Sequence, residues 1–363
     1  VKILKIYEPP KTKEDCNQIL EESRILMQQQ LEYWRQLPAN KKRSTAIDVL
    51  EKLKGKHPII DELIEYRKYA KLYSTYAEGL KKYIKKDGRI HTSFDQCGTQ
   101  TGRLSSNDPN LQNISVRSEE GREIRKAFVP EEQSKLVSCD YSQVELRVLA
   151  HMANEEALIE AFKEGMDIHT KTAMDIFKVG KDEVTSLMRR QAKAINFGIV
   201  YGMSGFGLAD QIGVSNYEAT QFINTYFASY PQIKEFMNRT VESCKEKGYV
   251  TTLWNRRRYI PEIRDSNRMM REFGKRAAMN APIQGSAADL IKIAMIRIFE
   301  RLEKEGCESK IIVQIHDEVL LNVPLREYEQ VCHIIKEEME NAMELKVPLV
   351  SNLVSGDSWY EAK

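Results

Sequence analysis

Two aspartates and one graded stripe of side chains are the residues through which this sequence could do chemistry. Asp140 closes the short, largely apolar run Lys135-Leu136-Val137-Ser138-Cys139, so a strand would deliver it as the chain leaves a core. Asp317 sits in His316-Asp317-Glu318, between apolar runs at 311–315 and 319–323, where a hairpin would hold acids at its tip. Carboxylates at two separate strand tips can share a pair of divalent cations roughly 3.5–4 Å apart, an arrangement suited to phosphoryl or nucleotidyl transfer. Hard oxygen ligands favour Mg²⁺ over a thiophilic metal. Taken singly, Asp317 also suits a turn for conformational reasons. Ser142 and Glu145 likewise have capping-box spacing for a helix that follows Asp140.

The stripe lies in the run from Met188 to Gly202. Arg189, Lys193, Phe197 and Tyr201 recur every four residues, which on a helix spans about 18 Å at ~1.5 Å per residue. Met188, Ala192, Ile195 and Ile199 form a second, apolar stripe that predicts the core-facing side. The first stripe is therefore free to face a ligand. Its cations lie near the helix N-terminus, where the dipole also favours anions, and its aromatics follow. That order matches a ligand with a polyphosphate at one end and a flat ring at the other, which is a nucleotide. Gly202 suits the helix end. His169, in Asp167-Ile168-His169-Thr170, is a lone histidine that needs such company to count as functional.

Two further segments carry amides and arginines in line. The turn-rich run 100–113 contains Arg103, Gln112 and Asn113, and Arg276, Asn280 and Gln284 repeat at helical spacing. Such side chains can donate to the minor-groove acceptors that every base pair presents, without reading sequence. Residues 58–84 interleave Arg67, Lys68, Lys71, Lys81 and Lys82 with five tyrosines, a pattern that suits a phosphate backbone as well as an ordinary amphipathic surface.

The elements that must position these groups read as follows. Helices are expected over 11–36, 46–54, 58–84, 142–180 and from Gly202 to about Gly248. Strands are expected before Asp140, at 250–253 and in the hairpin around Asp317. A basic turn is expected at Arg256-Arg257-Arg258-Tyr259, and a helical region over 268–304 is expected to be interrupted at Pro282. The chain has 363 residues, 42% of them hydrophobic, enough for two or three lobes. A start at Val1 fits a fragment. No apolar run reaches the length of a membrane span, and the six cysteines show no metal-binding spacing, which fits reduced thiols in an intracellular protein. The net charge of +2 neither demands nor excludes nucleic acid.

With these motifs placed, the chain from about Lys42 to Lys363 resembles the polymerase domain of the family A DNA polymerases, the bacterial DNA polymerase I family. The resemblance is carried by Thr101-Gly102-Arg103-Leu104-Ser105-Ser106, by Asp140-Tyr141-Ser142-Gln143-Val144-Glu145-Leu146-Arg147, and by the run from Arg189 to Gly202. Gln284-Gly285-Ser286-Ala287-Ala288-Asp289 and His316-Asp317-Glu318 complete it. It implies an α+β right-hand fold with an antiparallel palm. The thumb would be 1–88, the first part of the palm 89–150, mostly helical fingers 151–275 and the second part of the palm 276–363. It implies template-directed addition of dNTPs to a primer 3′-OH, with primer-template DNA and dNTPs as partners. Two Mg²⁺ ions, replaceable by Mn²⁺, would be held by Asp140, Asp317 and the backbone of Tyr141.

The resemblance further implies that Gln143, Glu145, His169, Arg189, Lys193, Phe197 and Tyr201 hold the dNTP. Lys193 would serve as proton donor to pyrophosphate, and Glu145 would stand where a ribose 2′-hydroxyl clashes. Arg103, Gln112, Asn113, Arg117, Arg276, Asn280, Gln284 and His316 would track the DNA. Glu318 would lie near the metals without necessarily binding them. A monomer is expected, with no membrane, in a bacterial or phage-infected cytoplasm or an organelle. No second acidic cluster precedes residue 89, so no proofreading is expected from this chain. Residues 1–41 fit the pattern poorly, the thumb looks short, and Ser115 stands where the family usually has Pro. A two-metal nuclease or a silent DNA-binding scaffold are the competing readings. The nuclease would leave the nucleotide stripe idle. The scaffold would be expected to have lost Asp140, Asp317 or Lys193.

Overall fold

The computed structural model describes residues 45–114 and 119–363, together with Ile25 and Gln28. The rest of the helix expected over 11–36 and the loop residues Ser115 and Arg117 lie outside the described residues. The chain divides into two units, Val1–Ser74 and Thr75–Lys363. In the first, α1 (Ile47–Glu51) and α2 (Pro58–Lys71) are described. His57 caps α2 by accepting from the Ile59 amide at 3.2 Å, and Pro58 supplies the preset φ of a first helical residue. The helix expected to reach 84 ends at Lys71. A π turn (Leu72–Ala77) and a 3₁₀ turn (Lys81–Tyr83) follow it. Of the five interleaved tyrosines Tyr66, Tyr69 and Tyr73 are exposed, Tyr83 is half-buried and Tyr76 is buried.

The second unit is α+β. After the small pair β1 (Ser93–Asp95) and β2 (Ser105–Asn107) come the short α3 (Glu119–Glu123) and β3 (Ser134–Tyr141). Seven helices follow in a row: α4 (Val144–Ala153), α5 (Glu156–Lys163), α6 (Ile168–Phe177), α7 (Ser186–Val200), α8 (Gly205–Ile212), α9 (Asn216–Ser229) and α10 (Pro231–Lys247). The hairpin β4 (Tyr249–Thr251) and β5 (Arg257–Tyr259) leads into α11 (Arg268–Lys304), β6 (Lys310–Ile315), β7 (Glu318–Pro324), α12 (Tyr328–Glu340) and β8 (Ser351–Gly356). The main sheet is antiparallel throughout, in the order β6-β7-β3-β8. One continuous core joins the sheet (Val137, Cys139, Val319, Leu321) to the helices (Leu146, Leu149, Ile195, Ile199, Ile283, Ile291).

Two expectations are corrected. Arg257–Tyr259 is a strand rather than a turn: it pairs with Tyr249–Thr251, and the Tyr249 and Tyr259 rings meet edge-on across the pair at 5.6 Å. The helix over 268–304 runs through Pro282 without a break. A proline removes one N–H from the ladder and crowds the carbonyl four residues back, yet its neighbours Ala281 and Ile283 are both buried. Ser286 donates to the Pro282 carbonyl at 2.6 Å. Burial on both sides holds the helix where local propensity would have ended it.

Gly274 shows how closely α11 is seated. A Cβ there would stand 2.6 Å from the Ile263 amide nitrogen and 2.8 Å from the Glu262 carbonyl carbon, both backbone atoms. Gly274→Ala is expected to destabilise the protein by about 1–3 kcal/mol, since overpacking against backbone has no cheap relief. A denaturant midpoint that does not fall in the alanine variant would show that this helix is more loosely seated than described.

Candidate active site

The register of the sheet brings the two aspartates together. Asp140 is the penultimate residue of β3 and pairs with Glu318, the first residue of β7. His316 and Asp317 form the two-residue connection from β6 to β7, and the Tyr141 amide donates to the Asp317 carbonyl at 3.1 Å. Both segments carry a non-glycine residue in the left-handed region, Gln143 (φ 52°) beside Asp140 and His316 (φ 54°) beside Asp317. Such conformations cost of order 1–3 kcal/mol each and persist where surrounding structure overrides them. Tyr141 sends its side chain into the core, its hydroxyl donating to the Met339 carbonyl at 2.6 Å. Only its backbone is left to face the acids.

The electrostatics are those of two like charges short of a counterion. Burial pushes the Asp140 carboxyl up to about 6, and the neighbouring Asp317 charge pushes the same way. Asp317 is also raised, chiefly by burial. The Asp140 Oδ1 atom is buried with no hydrogen-bond partner. Part of the deficit is met by Lys363, whose ammonium lies 3.6 Å from Asp140 Oδ2 and also bonds Glu318. Glu318 itself is only 1% exposed and accepts from Ser138 Oγ at 2.7 Å, so it is turned into the sheet. Among the described residues no group of three or more His, Cys, Asp or Glu side chains is placed to hold a metal. Two carboxylates with one orphaned oxygen fit a Mg²⁺-type cation, which is commonly bound through one or two carboxylates, waters and the substrate's own phosphates.

Glu145 is not a helix cap. The N-cap of α4 is Gln143, with no side-chain cap bond, so the Ser142/Glu145 capping box is not realised. Instead the Glu145 carboxylate is shared: Arg103 Nη2 donates to one oxygen at 2.6 Å and the Tyr201 hydroxyl to the other at 3.3 Å. Burial, with Glu145 nearby, pushes the Tyr201 phenol up to about 12. Arg103 is steadied indirectly by Arg256, which donates to the Thr101 carbonyl at 2.6 Å and the Gly285 carbonyl at 3.0 Å while pairing with Asp289 at 2.8 Å. Sequence reading missed Arg256 as a positioning residue because its partners stand 155 and 29–33 positions away.

The second cluster lies on α7, which has the two faces that its spacing predicted. Ala192, Ile195 and Ile199 are buried, whereas Arg189, Lys193 and Tyr201 are exposed and Phe197 is half-buried. Thr185 caps the helix by accepting from the Met188 amide at 3.2 Å. Arg189 is held bidentately by Asp167, Nε to Oδ2 at 2.8 Å and Nη2 to Oδ1 at 3.1 Å, which leaves Nη1 unused in that pair. Burial opposes ionisation of Asp167, yet hydrogen bonds from Arg189 and Thr170 hold its carboxyl down at about 2. His169 stacks obliquely near Phe197, centroids 5.9 Å apart, and burial lowers its pKa to about 4, with the Lys193 and Arg189 cations acting the same way. A cavity of about 420 Å³ opens beside Lys193, Ala194 and Phe197.

Tyr201, at the C-terminal end of α7, links the two clusters through Glu145. Arg276, Asn280 and Gln284 form one partly accessible stripe of α11, and Asn280 donates to the Val200 carbonyl at 3.3 Å. Gln112 is anchored on β6, donating to the Gln314 carbonyl at 3.0 Å, and the Asn113 carbonyl accepts from Tyr76 at 2.6 Å. His316 is exposed at the hairpin tip. Arg117 lies outside the described residues.

Comparison with known proteins points to one family. The model of DNA polymerase family A matches residues 11–361, so the match begins well before the Lys42 expected from the motifs. The chain is 54% identical over 334 residues to DNA polymerase I of Geobacillus stearothermophilus, covering 90% of this chain and 38% of that protein. It is 55% identical over 322 residues to DNA polymerase I of Bacillus subtilis (strain 168), covering 88% and 37%. Among solved structures, the POL domain of Pol1 from M. smegmatis, in complex with DNA primer-template and dNTP, matches with a TM-score of 0.85 at 42% identity, over 90% of this chain and 58% of that one. The chain thus spans a little over a third of the length of these curated relatives.

The raised Asp140 carboxyl has a consequence for stability. The folded state holds this proton up to about 6 while the unfolded chain releases it near the ordinary aspartate value of 3.8. Between those values the folded state binds more protons, so the group costs stability as pH rises and the cost remains at neutral pH. In EDTA at about pH 7.5, Asp140→Asn is therefore expected to melt at a higher temperature than the parent, with the gap closing near about pH 4. Mg²⁺ should raise the parent's melting temperature more than the variant's. A variant that melts lower than the parent at neutral pH would show that the acid is held for packing.

Proposed function

The chain belongs to DNA polymerase family A, and on that footing we propose that it is a template-directed DNA polymerase, extending a primer 3′-OH with dNTPs and releasing pyrophosphate. The observation that carries the reading is the pairing of an under-neutralised Asp140–Asp317 site with the Arg189/Lys193/Phe197 stripe, joined through Tyr201 and Glu145. Residues 1–88 serve as thumb, 89–150 and 276–363 as palm, and 151–275 as fingers. Asp140, Asp317 and the Tyr141 backbone hold two Mg²⁺ ions, or Mn²⁺, which when bound lower the pKa of the primer hydroxyl and offset charge on the departing pyrophosphate.

The protein's own residues do the rest. Arg189 and Lys193 bind the triphosphate, and Asp167 fixes the plane of the Arg189 guanidinium so that a free edge faces the phosphates. Lys193, exposed on the same face, carries a proton to the leaving group. Phe197 stacks with the nucleotide, and Gln143, held in its left-handed turn, lies beside the nucleotide's sugar-phosphate. Arg103, Gln112, Asn113, Arg117, Arg276, Asn280, Gln284 and His316 contact the primer-template through groups that every base pair can satisfy. The two-metal nuclease reading leaves the α7 stripe without a task. Primer extension with dNTPs and Mg²⁺ decides between them, because shortening of the primer supports the nuclease and inert binding supports a scaffold.

Asp140→Asn and Asp317→Asn are each expected to lower extension by at least ~10³-fold, about 4 kcal/mol, while duplex affinity stays nearly unchanged. Extension at more than a few percent of the parent rate in either variant removes that acid from the metal site.

Sugar selection gives a finer test. Glu145 is held in place by Arg103 and Tyr201, so its carboxylate is a rigid wall against the C2′ edge of the sugar. Glu145→Ala is expected to relax discrimination against ribonucleotides. Phe197 carries no hydroxyl to replace the hydrogen bond that a missing 3′-OH would make. Phe197→Tyr is expected to admit dideoxynucleotides at least about tenfold better, roughly 1.4 kcal/mol. Single-nucleotide insertion kinetics measure both ratios, and parental values in both variants dismiss this pocket.

A further inference from the structure

We propose that His169 is a neutral imidazole whose proton is fixed on Nε2, and that Asn196 is the positioning residue that fixes it. The assignment rests on a group of buried hydrogen bonds among Thr172 and His169 on α6 and Asn196 on α7. The Thr172 hydroxyl donates to Asn196 Oδ1 at 3.2 Å and lies 3.1 Å from Asn196 Nδ2. The amide is thereby oriented, and an N–H of Nδ2 faces His169 Nδ1, also at 3.1 Å. An Nδ1 that accepts leaves the proton on Nε2.

Thr172, Asn196 and His169 are all buried, Asn196 at 1% exposure, so water does not compete for these bonds. The group also ties α6 to α7. Asn196 lies beside Phe197 and three residues after Lys193, buried where α6 packs on α7. A triphosphate meeting this surface finds two cations and one neutral donor. With the opposite tautomer it would find a lone pair at Nε2 instead. This consequence rests on the nucleotide reading above, whereas the tautomer itself does not.

The test is an imidazole ¹⁵N–¹H correlation spectrum of histidine-labelled protein near neutral pH, with His169 identified by its loss in His169→Gln. The expected pattern is a bare Nδ1 and a protonated Nε2, and a protonated Nδ1 or averaged signals overturn the proposal. Because this readout needs no catalysis, it stands even if the chain extends no primer. Thr172→Val deletes only the hydroxyl and should mix the tautomers, raising KM for dNTPs about three- to tenfold with kcat changed by less than about twofold. In the His169→Gln background the same change should add nothing, and an equal rise in both backgrounds overturns the positioning role. Asn196→Leu removes the amide itself and is read in the same way if Thr172→Val does not fold.

Discussion

The repulsion between two carboxylates held at neighbouring strand ends is the constraint to which the rest of the second unit answers. Neither acid can retreat. Asp140 is locked by pairing on both edges of β3, opposite Glu318 on one side and Asn352 on the other. Asp317 is locked in a two-residue connection whose backbone accepts from the Tyr141 amide. A flexible pair would swing apart into water, and this pair cannot. The surrounding features either lessen the field, as Lys363 does, or bear the conformational cost of keeping the segments in place, as Gln143 and His316 do. Stability is given up locally, as a site meant to receive a cation under the function proposed above would require.

The second dependency runs through α7, which must present cations and aromatics on one side while being held rigidly on the other. Apolar packing at Ala192, Ile195 and Ile199 supplies most of the grip but no direction for polar groups. Direction comes from a few oriented bonds: Thr185 at the N-terminus, Asn196 in the middle and Asn280 on the Val200 carbonyl at the far end. Tyr201 then reaches Glu145, so any shift of the helix is felt beside the acids.

What was legible in the sequence follows from locality. Asp140, Asp317 and the α7 stripe could be found because strand ends, hairpins and a four-residue repeat are short-range patterns that constrain where side chains go. The α+β class followed from the same patterns. Illegible were groups whose meaning depends on partners far along the chain. Spacing alone offered Glu145 as a helix cap because Ser142 is near in sequence, while its partners are 42 and 56 residues away. Asn196 and Thr172 carry no local signature, since a buried polar group is written in three dimensions. Pro282 misled for the opposite reason, because its local preference is strong and burial overrode it. Arg257–Tyr259 read as a turn because three successive arginines hide the pairing with Tyr249–Thr251.

Glu318 explains why a site with a third acid next to Asp317 still presents only two. Its side chain is turned into the sheet, where Ser138 and Lys363 satisfy it and solvent cannot reach it. Three outward carboxylates would hold a divalent cation without help and would keep it between turnovers. Two carboxylates leave coordination positions that oxygen atoms of an incoming phosphate chain can complete. Under the function proposed above, cation binding would be coupled to nucleotide binding by ordinary linkage, since each would supply part of the other's site. The buried third acid is thus part of the site's chemistry through its orientation, and that orientation is set by a serine on β3 and a lysine at position 363.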